Sequence, residues 1–329
     1  MNPYISIIIP FYNRERFVKS ALDSIYSQGL EFDKFEVVCV DDCSPTMDNY
    51  NALVDYTYIG EHPSNLHVIR HSVNKCQGGA RNTGISVAKG EWIIHLDSDD
   101  YFIEGSLVEL CNQLKCNEEL DILMYDYTTN SSNTNLSDKF PVLCKSDGLS
   151  LVKKHSIPWV SWCYAFKRSF LMAKGLKFAE NVRVEDGDYV YRAVMNASFI
   201  AFAPLQVVHY EIQEDSVSSL PKDVSRMEWI TKMAVRFKKI AEDFMPIDYE
   251  AATVCLDNCE NILKGLLPVY LEILPRRDIV YLLKTYNIYG ESNSILRFAY
   301  NCPNIFSFFC LIFRPIFKLR RYMRRSKIL

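Results

Sequence analysis

Short apolar runs alternate with segments of helical periodicity in the first part of the chain. The runs are rich in β-branched residues and lack polar alternation, which is typical of strands buried on both faces. Between them, apolar residues recur every three or four positions, which predicts helices. Strands and helices at this spacing predict a parallel sheet with right-handed crossovers. The predicted strands are residues 4–9, 35–40, 66–70 and 92–96, and the predicted helices are residues 16–28, 47–59 and 80–89.

The pattern changes near Pro221. Before it, helical and strand-like segments continue, and a tract rich in Ser, Thr and Asn at residues 128–138 predicts a loop. After it, apolar residues keep helical spacing between prolines, so a set of packed helices is expected. The predicted elements are a helix at 106–114, a strand at 121–127, a helix at 189–195, and helices at 227–244, 249–267 and 276–286 that Pro246, Pro268 and Pro275 separate.

Polar clusters follow three of the predicted strands. Tyr12 and Asn13 follow the first strand, Asp41 and Asp42 follow the second, and the acidic residues 97–100 follow the fourth. In parallel sheets, ligands bind beyond the carboxyl ends of the strands, so we expect these clusters to converge. The dinucleotide fingerprint G-x-G-x-x-G and the phosphate loop ending in G-K-S/T do not occur in the sequence, which argues against an NAD enzyme and a P-loop kinase.

The clusters suit a nucleoside diphosphate. A carboxylate such as Asp42 can accept the ring N–H of a pyrimidine, and Tyr12 can stack on the base. Three carboxylates within residues 97–100 repel one another unless a cation compensates them, and oxygen ligands suit Mg²⁺ or Mn²⁺. A cation at Asp99, assisted by Arg81, would supply the positive charge that a diphosphate needs. The alternatives are a polar loop with a helix cap, ordinary packing for Tyr12, and a surface ion pair for Arg81.

Composition and charge narrow the class of protein. The 329 residues are 49% hydrophobic and 23% charged, enough for one large domain with an extension, or for two domains. A net charge of −3 provides no general attraction for nucleic acid. The N-terminus lacks the features of a secretory signal, so the chain is expected to start in the cytosol. The eleven cysteines have no paired spacing and favour reduced thiols over a disulfide framework or a zinc site.

Five motifs together resemble glycosyltransferase family 2. They are S-I-I-I-P-F-Y-N-R at residues 6–14, V-D-D-C-S at 40–44, G-G-A-R-N-T-G at 78–84, G-E-W-I-I-H-L-D-S-D-D at 90–100, and E-D at 185–186. The resemblance covers about the first two thirds of the chain. It implies an α/β GT-A fold, with a mostly parallel Rossmann-like sheet flanked by helices. It also implies an inverting transferase that uses a nucleotide-diphosphate sugar, most often a UDP-sugar, and Mn²⁺ or Mg²⁺.

The resemblance further implies roles for single residues. Asp42 would read the base, Asp97 would lie by the ribose or the metal, and Asp99 would bind the metal, a role that Asp100 could share. The expected donor-binding residues are Pro10, Tyr12, Asn13, Asp42, Arg81, Asp97 and Ser98, the expected metal ligands are Asp99, Asp100 and His209, and the expected catalytic residues are Asp186 and Glu185.

Several of these roles have alternatives. Inverting transfer needs a base for the acceptor proton, and Asp186 takes that role by resemblance, with Glu185 positioning donor or acceptor. A helix N-terminus also favours acidic residues, so the pair could be a helix cap. His209 could be a third metal ligand or a structural residue at a strand end. Trp159 and Trp162 could cover the acceptor sugar or pack in the core.

The chain is expected to contain a catalytic domain, a helical extension and a tail. The catalytic domain is placed at residues 1–220, with a nucleotide-binding half at 1–100 and an acceptor half at 101–220. A helical extension is placed at 221–303 and an amphipathic tail at 304–329.

The tail combines aromatic and basic residues. Its apolar run at 305–313 is well short of the ~20 residues of a spanning helix. Seven basic residues follow Phe313. This composition favours the surface of an anionic membrane, so peripheral attachment to the inner face of the cytoplasmic membrane is expected. The alternative is a helix docked on the catalytic domain with a solvated basic end.

The sequence therefore predicts a metal-dependent inverting transferase that moves a sugar from a UDP-sugar to a hydroxyl of a glycan or lipid-linked acceptor, in cell-surface polysaccharide synthesis. Two rival classes remain. A nucleotidyltransferase that makes nucleotide-sugars would need a glycine-rich basic loop after the first strand, which P-F-Y-N-R-E-R lacks. A non-catalytic carbohydrate-binding relative would be expected to lose Asp99 or Asp186, and both are present.

Overall fold

An eight-stranded mixed sheet forms the centre of the first part of the chain, and helices flank it. The computed structural model describes residues 2–130, 136, 139–212, 223–272, 274–285 and 294–325. The chain divides into two compact units, residues 1–214 and 215–329. The sequence analysis placed the end of the catalytic domain at residue 220 and a further boundary at residue 303.

The first unit begins with alternating strands and helices, as the periodicity predicts. Its elements are β1 (Ile5–Phe11), α1 (Glu15–Tyr26), β2 (Phe35–Asp41), α2 (Met47–Val54), β3 (Leu66–Arg70), α3 (Cys76–Val87), β4 (Trp92–His95), β5 (Tyr101–Phe102), α4 (Ser106–Cys116), β6 (Ile122–Thr129), α5 (Gly148–Lys154), a 3-10 turn (Ser161–Cys163), β7 (Tyr164–Lys167), α6 (Arg168–Ala173), α7 (Asp186–Asn196) and β8 (Ile200–Tyr210).

The strand order is β3-β2-β1-β4-β7-β6-β8-β5. The first four strands of this order pair in parallel, which confirms the predicted parallel pairing. Beyond β4 the sheet becomes mixed, because β7 is antiparallel to both β4 and β6, and β5 is antiparallel to β8. β1, β2 and β4 are buried along their whole length, since both faces of the sheet are covered there. Their carboxyl ends form one edge, which receives the predicted polar clusters.

Among the helices of the first unit, α2 and α3 differ most from the predicted boundaries. α2 ends at Val54 rather than at Ile59. Ile59 itself has a φ of 54°, which a right-handed helix does not allow. α3 begins at Cys76 rather than at Ala80. Its first turn contains Gly78, where a Cβ would lie 2.2 Å from the Ala179 carbonyl oxygen. Glycines give no apolar periodicity, so the sequence pattern missed a turn that close packing requires.

The predicted loop at 128–138 begins two residues too early, since β6 continues to Thr129. Residues 131–135 and 137–138 of that loop lie outside the described part of the chain. β5 was not predicted at all, because a strand of two residues has no measurable periodicity.

The second unit consists of helices in its described part, as predicted. Two prolines lie within helices rather than between them. The helix Tyr249–Glu272 continues past Pro268, and the helix Pro303–Arg325 contains Pro315. A proline removes one helical hydrogen bond but does not prevent the helix from continuing in a packed setting. The helices are α8 (Val224–Phe244), α9 (Tyr249–Glu272), α10 (Arg276–Thr285), α11 (Ser294–Asn301) and α12 (Pro303–Arg325).

No helix in the described ranges is long and apolar enough to cross a bilayer.

Candidate active site at the carboxyl edge of the sheet

One buried arginine joins three of the predicted site residues. α3 holds Arg81 with no solvent exposure. Its Nη1 donates to Glu185 Oε1 at 2.7 Å and to Asp186 Oδ1 at 2.9 Å, and its Nη2 donates to Asp97 Oδ1 at 2.6 Å. The alternative of a surface ion pair at Arg81 is therefore wrong, since the guanidinium is a buried hub. We call Arg81, Asp97, Glu185 and Asp186 the arginine cluster.

Asp186 stands at the start of α7, with Glu185 in the capping position. Its Oδ1 accepts hydrogen bonds from Arg81 and from Ser161 Oγ, the latter at 3.0 Å. Within the described residues, both hydrogen bonds to this carboxylate end on Oδ1, and its side chain is 23% exposed. Oδ2 is therefore the oxygen available to a ligand.

Asp186 and Glu185 of this cluster have raised pKa values and hold protons more tightly than ordinary carboxylates. Burial raises the pKa of Asp186, and the Asp97 charge raises it further, whereas Arg81 and the Ser161 hydroxyl lower it. Burial also raises the pKa of Glu185, and the adjacent Asp186 adds to that effect. One guanidinium does not compensate three carboxylates, so the cluster keeps an excess of negative charge.

The three carboxylates after β4, at residues 97–100, contact different neighbours. Asp97 binds Arg81, and Asp99 Oδ2 lies 3.8 Å from Arg14 Nε. Asp100 is 1% exposed, and its Oδ1 accepts the backbone N–H of Glu211 at 2.9 Å. Ser98, between them, is buried.

One carboxylate oxygen of Asp100 has no hydrogen-bond partner in the described part of the chain. This oxygen, Oδ2, is buried. Burial and the nearby Asp97 charge raise the pKa of Asp100 well above its ordinary value. A buried carboxylate oxygen without a donor is stabilised by a proton or by a cation.

The donor set at this stretch fits a hard divalent cation. Across the part of the chain that the structure describes, no three His, Cys, Asp or Glu side chains form a complete metal site. Mg²⁺ and similar cations are commonly held by one or two carboxylates together with substrate phosphates, so a full protein cage is not required. Asp99 and Asp100 could supply those carboxylates, and the orphaned Asp100 Oδ2 suits the purpose.

His209 is already well satisfied in the structure. It lies in β8 opposite Tyr101 of β5, and the two rings stack with centroids 4.6 Å apart. Its Nδ1 pairs with Thr128 Oγ1 at 2.9 Å, and its Nε2 pairs with Asn130 Oδ1 at 2.8 Å. A metal at His209 would have to displace one of these partners.

The predicted base-reading residue lies at the end of β2. Asp42 Oδ1 accepts the backbone N–H of Lys75 at 2.8 Å and pairs with His71 Nδ1 at 2.7 Å. Tyr12, in the loop after β1, is 42% exposed, so its ring is available for stacking. Two other predicted donor-binding residues lie nearby. The backbone N–H of Asn13 donates to Ser44 Oγ, and Pro10 is buried within β1 opposite Val40.

The two tryptophans differ in burial. Trp162 is 3% exposed and stacks on Tyr210 with centroids 5.5 Å apart, which is core packing. Trp159 is partly exposed and meets Tyr191 edge to face. Of the two, only Trp159 has a surface that a sugar could cover.

Three residues near the site were not among the candidates that the sequence indicated. Ser161 binds Asp186 across 25 residues of sequence, so no local motif indicates it. The sequence pattern could have indicated Arg14 and His71, because both follow strand ends at the same edge of the sheet.

Comparison with known proteins identifies relatives of this chain. The family model for glycosyl transferase family 2 matches residues 6–174. The minor teichoic acid biosynthesis protein GgaB of Bacillus subtilis is 26% identical over 241 residues, which are 71% of this chain and 26% of GgaB. The poly(ribitol-phosphate) beta-N-acetylglucosaminyltransferase TarS of Staphylococcus aureus is 24% identical over 249 residues, which are 75% of this chain and 41% of TarS. The chain thus spans less than half the length of either relative.

Solved structures show the same fold. The crystal structure of S. aureus TarS 1–349 in complex with UDP-GlcNAc superposes with a TM-score of 0.70 at 19% identity, covering 98% of this chain and 92% of that one. The mannosyltransferase PcManGT of Pyrobaculum calidifontis, in complex with GDP-Man and Mn²⁺, superposes with a TM-score of 0.53 at 19% identity, covering 95% and 87%. The GT-A fold predicted from the motifs is confirmed, and the chain belongs to glycosyltransferase family 2.

Proposed function

We propose that this chain is an inverting, metal-dependent glycosyltransferase that moves a sugar from a UDP-sugar to a hydroxyl of a glycan or lipid-linked saccharide. The observation that supports this most directly is the arginine cluster. It fixes Asp186 through one carboxylate oxygen, Oδ1, while Oδ2 accepts no hydrogen bond from the described residues. That arrangement suits a general base.

Asp186 would act on the acceptor. Its Oδ2 takes the hydroxyl proton as the acceptor oxygen bonds to the anomeric carbon, and the bond from that carbon to the diphosphate breaks on the opposite face. A carboxylate whose pKa is raised toward neutral is a stronger base than an ordinary one while remaining partly ionised. Arg81 and Ser161 hold it in place, and Glu185 helps to fix the arginine.

The donor would lie along the same sheet edge. Asp42 would accept the ring N–H of uracil and Tyr12 would stack on the base, with Pro10, Asn13 and Ser98 shaping the donor pocket around Arg81 and Asp97. Asp99 and Asp100 would hold Mn²⁺ or Mg²⁺, and His209 could join them only by exchanging a present partner. When bound, such a cation neutralises charge on the diphosphate as it leaves.

The relatives support a cell-surface acceptor. GgaB takes part, by its name, in teichoic acid biosynthesis, and TarS glycosylates poly(ribitol-phosphate). For this chain we propose an acceptor of that general kind, a glycan or lipid-linked saccharide destined for the cell surface.

We also propose peripheral attachment to the inner face of the cytoplasmic membrane through α12. Phe306 and Cys310 are the buried side of this helix. Its other side exposes an apolar stripe at helical spacing, and the basic residues of the sequence follow it. The stripe consists of Ile305, Phe308, Phe309 and Ile312, which are 61%, 55%, 42% and 55% exposed.

The decisive experiment separates acceptor chemistry from donor binding. Asp186→Asn is expected to lower transfer by about 10²–10⁴-fold, because a general base contributes that much. The affinity for UDP-sugar, measured by calorimetry, should stay within about threefold, since the amide keeps the contact with Arg81. Asp48→Asn, an exposed change in α2, is the matched control. Loss of donor binding in Asp186→Asn would contradict the role of base.

The metal is tested separately. EDTA should abolish transfer, and Asp99→Ala should remove the part of UDP affinity that Mn²⁺ adds. A binding module would retain sugar affinity without turnover, and a nucleotidyltransferase would release pyrophosphate from a nucleoside triphosphate and a sugar phosphate. Either result would replace the proposed function.

A further inference from the structure

The Asp42 carboxylate is held in one orientation. It lies at the carboxyl end of β2 and is 2% exposed. The Lys75 backbone N–H donates to Oδ1 at 2.8 Å, and the His71 ring nitrogen Nδ1 lies 2.7 Å from the same oxygen. Two donors on one oxygen fix the rotation of the carboxylate, so Oδ2 points in one direction. A carboxylate held by a single donor could swing about that contact.

Both ring nitrogens of His71 have hydrogen-bond partners. It directly follows β3, and its backbone N–H donates to the Asp41 carbonyl at 2.8 Å, which continues the parallel pairing by one residue. Its side chain is 8% exposed. The ring nitrogen Nδ1 meets Asp42 Oδ1 at 2.7 Å, and Nε2 meets Thr83 Oγ1 at 2.8 Å.

The tautomer of His71 follows from these partners. An ionised carboxylate only accepts, so Nδ1 must carry the proton and donate it to Asp42. In the neutral ring, Nε2 is then the acceptor for the Thr83 hydroxyl. Thr83 lies on α3, two residues after Arg81, so the helix that holds the arginine cluster also sets this ring.

The His71 contact also favours the ionised form of Asp42. Burial raises the pKa of Asp42, while the Lys75 N–H and the His71 hydrogen bond lower it, as does the backbone N–H of Cys76. Removing the imidazole would therefore raise the pKa and weaken acceptance of a ring N–H at lower pH.

We propose that His71 is the positioning residue that gives the donor site its preference for uracil. The proposal rests on the proposed function, in which Asp42 accepts a base N–H. Uracil offers N3–H in line with a fixed oxygen. Cytosine has a lone pair at N3, and its nearest donors are on the adjacent amino group. A carboxylate fixed by His71 rejects that pattern, whereas one free to rotate could follow it to the amino group.

The experiment measures UDP and CDP affinity of the full chain by calorimetry, together with kcat and KM for the donor. In His71→Leu we expect UDP affinity to fall by at least about tenfold, because a hydrogen bond to a charged group is lost. The preference for UDP over CDP should narrow. kcat should stay within about threefold, because the arginine cluster is untouched. The acidic limb of UDP binding should move to higher pH, since the Asp42 pKa rises.

Two matched variants separate the specific contact from a general packing role. His71→Asn places an amide near the Nδ1 position, and His71→Gln places it near the Nε2 position. We expect Asn to retain UDP affinity and selectivity, and Gln to lose both. His67→Leu, an exposed histidine change on the same strand, should change neither.

The outcomes are distinct. If Asp42→Asn leaves UDP affinity unchanged, the proposed donor site fails. If Asp42→Asn weakens UDP binding but His71→Leu does not, the positioning role is overturned alone. Should His71→Leu not fold, the Asn and Gln pair decides, and equal UDP affinity in the two overturns the proposal.

Discussion

At the scale of the residue, the site depends on how buried charge is shared. Arg81 has no contact with solvent, yet three carboxylates share its guanidinium. Burying charges is costly unless each has close partners, so every oxygen and N–H that satisfies the cluster influences its protonation. Ser161 is the neutral member of this network, and its hydroxyl lowers the pKa of Asp186.

Ser161→Ala should shift the pH profile without abolishing activity. Asp186 must be ionised to accept a proton, and losing the hydroxyl removes a contact that favours the ionised form. The pKa of Asp186 therefore rises, and the acidic limb of kcat moves to higher pH. We expect the limb to move by about half a pH unit or more, with kcat at high pH within about threefold of wild type.

The measurement is kcat against pH, from about pH 5 to about pH 9. Ser156→Ala, an exposed serine change, is the control and should keep the wild-type profile. A limb that moves to lower pH in Ser161→Ala would refute the assigned contact.

At the scale of the element, α3 connects the two ends of the proposed donor site. Arg81 on this helix donates hydrogen bonds to Asp97, after β4, and to Asp186, at the start of α7. Thr83 on the same helix pairs with His71, which contacts Asp42. The helix reaches both because its first turn packs closely on the segment before Glu185. At Gly78 a Cβ would lie 2.2 Å from the Ala179 carbonyl oxygen and 3.1 Å from Glu185 Cγ.

Gly78→Ala is expected to disturb the site through this packing. The new methyl group meets backbone rather than a flexible side chain, so α3 or residues 179–185 must shift. A displacement near 1 Å can cost about 10²-fold in rate, and we expect kcat to fall by at least about tenfold with a lower thermal midpoint.

Gly265→Ala, in α9, is the matched control. Apart from its chain neighbours and the backbone of its own helix, no described atom lies within 4 Å of the position that the new methyl group would take. The change should therefore keep activity and add about 1 kcal/mol of helix stability at most. Wild-type kcat in Gly78→Ala would show that the close approach is not needed.

At the scale of the whole molecule, the chain has a family 2 unit followed by a second compact unit that consists of helices in its described part. α12 packs within the second unit against α9, α10 and α11. Its exposed side nevertheless keeps four large apolar residues in a row of helical spacing, with basic residues beyond them in the sequence. Apolar surface beside clustered positive charge favours an anionic lipid surface.

The paired change Phe308→Ser and Phe309→Ser should weaken membrane binding. Both side chains are exposed, so the fold should survive, whereas partition into lipid loses two aromatic anchors. We expect wild-type protein to sediment with phosphatidylglycerol vesicles at low salt and the paired variant to bind at least about tenfold more weakly.

Salt and lipid charge provide the test of the basic residues. Binding should decline in high salt, because screening shortens the reach of surface charge, and should be weak on phosphatidylcholine vesicles. Tyr281→Ser, an exposed aromatic change on α10, is the control. Wild-type protein that stays in the supernatant with phosphatidylglycerol at low salt would rule out the attachment.

The sequence by itself determined the parallel half of the sheet and the polar clusters at its strand ends. Periodicity and motif order depend on near neighbours, so β1 to β4 and the acids at 97–100 were readable from the chain. Only the tertiary structure decided which residues share a site. Arg81 and Asp186 are 105 residues apart, and the burial of Trp162 and the clamp on His71 depend on several elements meeting. Such contacts arise from packing between distant segments, which no local pattern records.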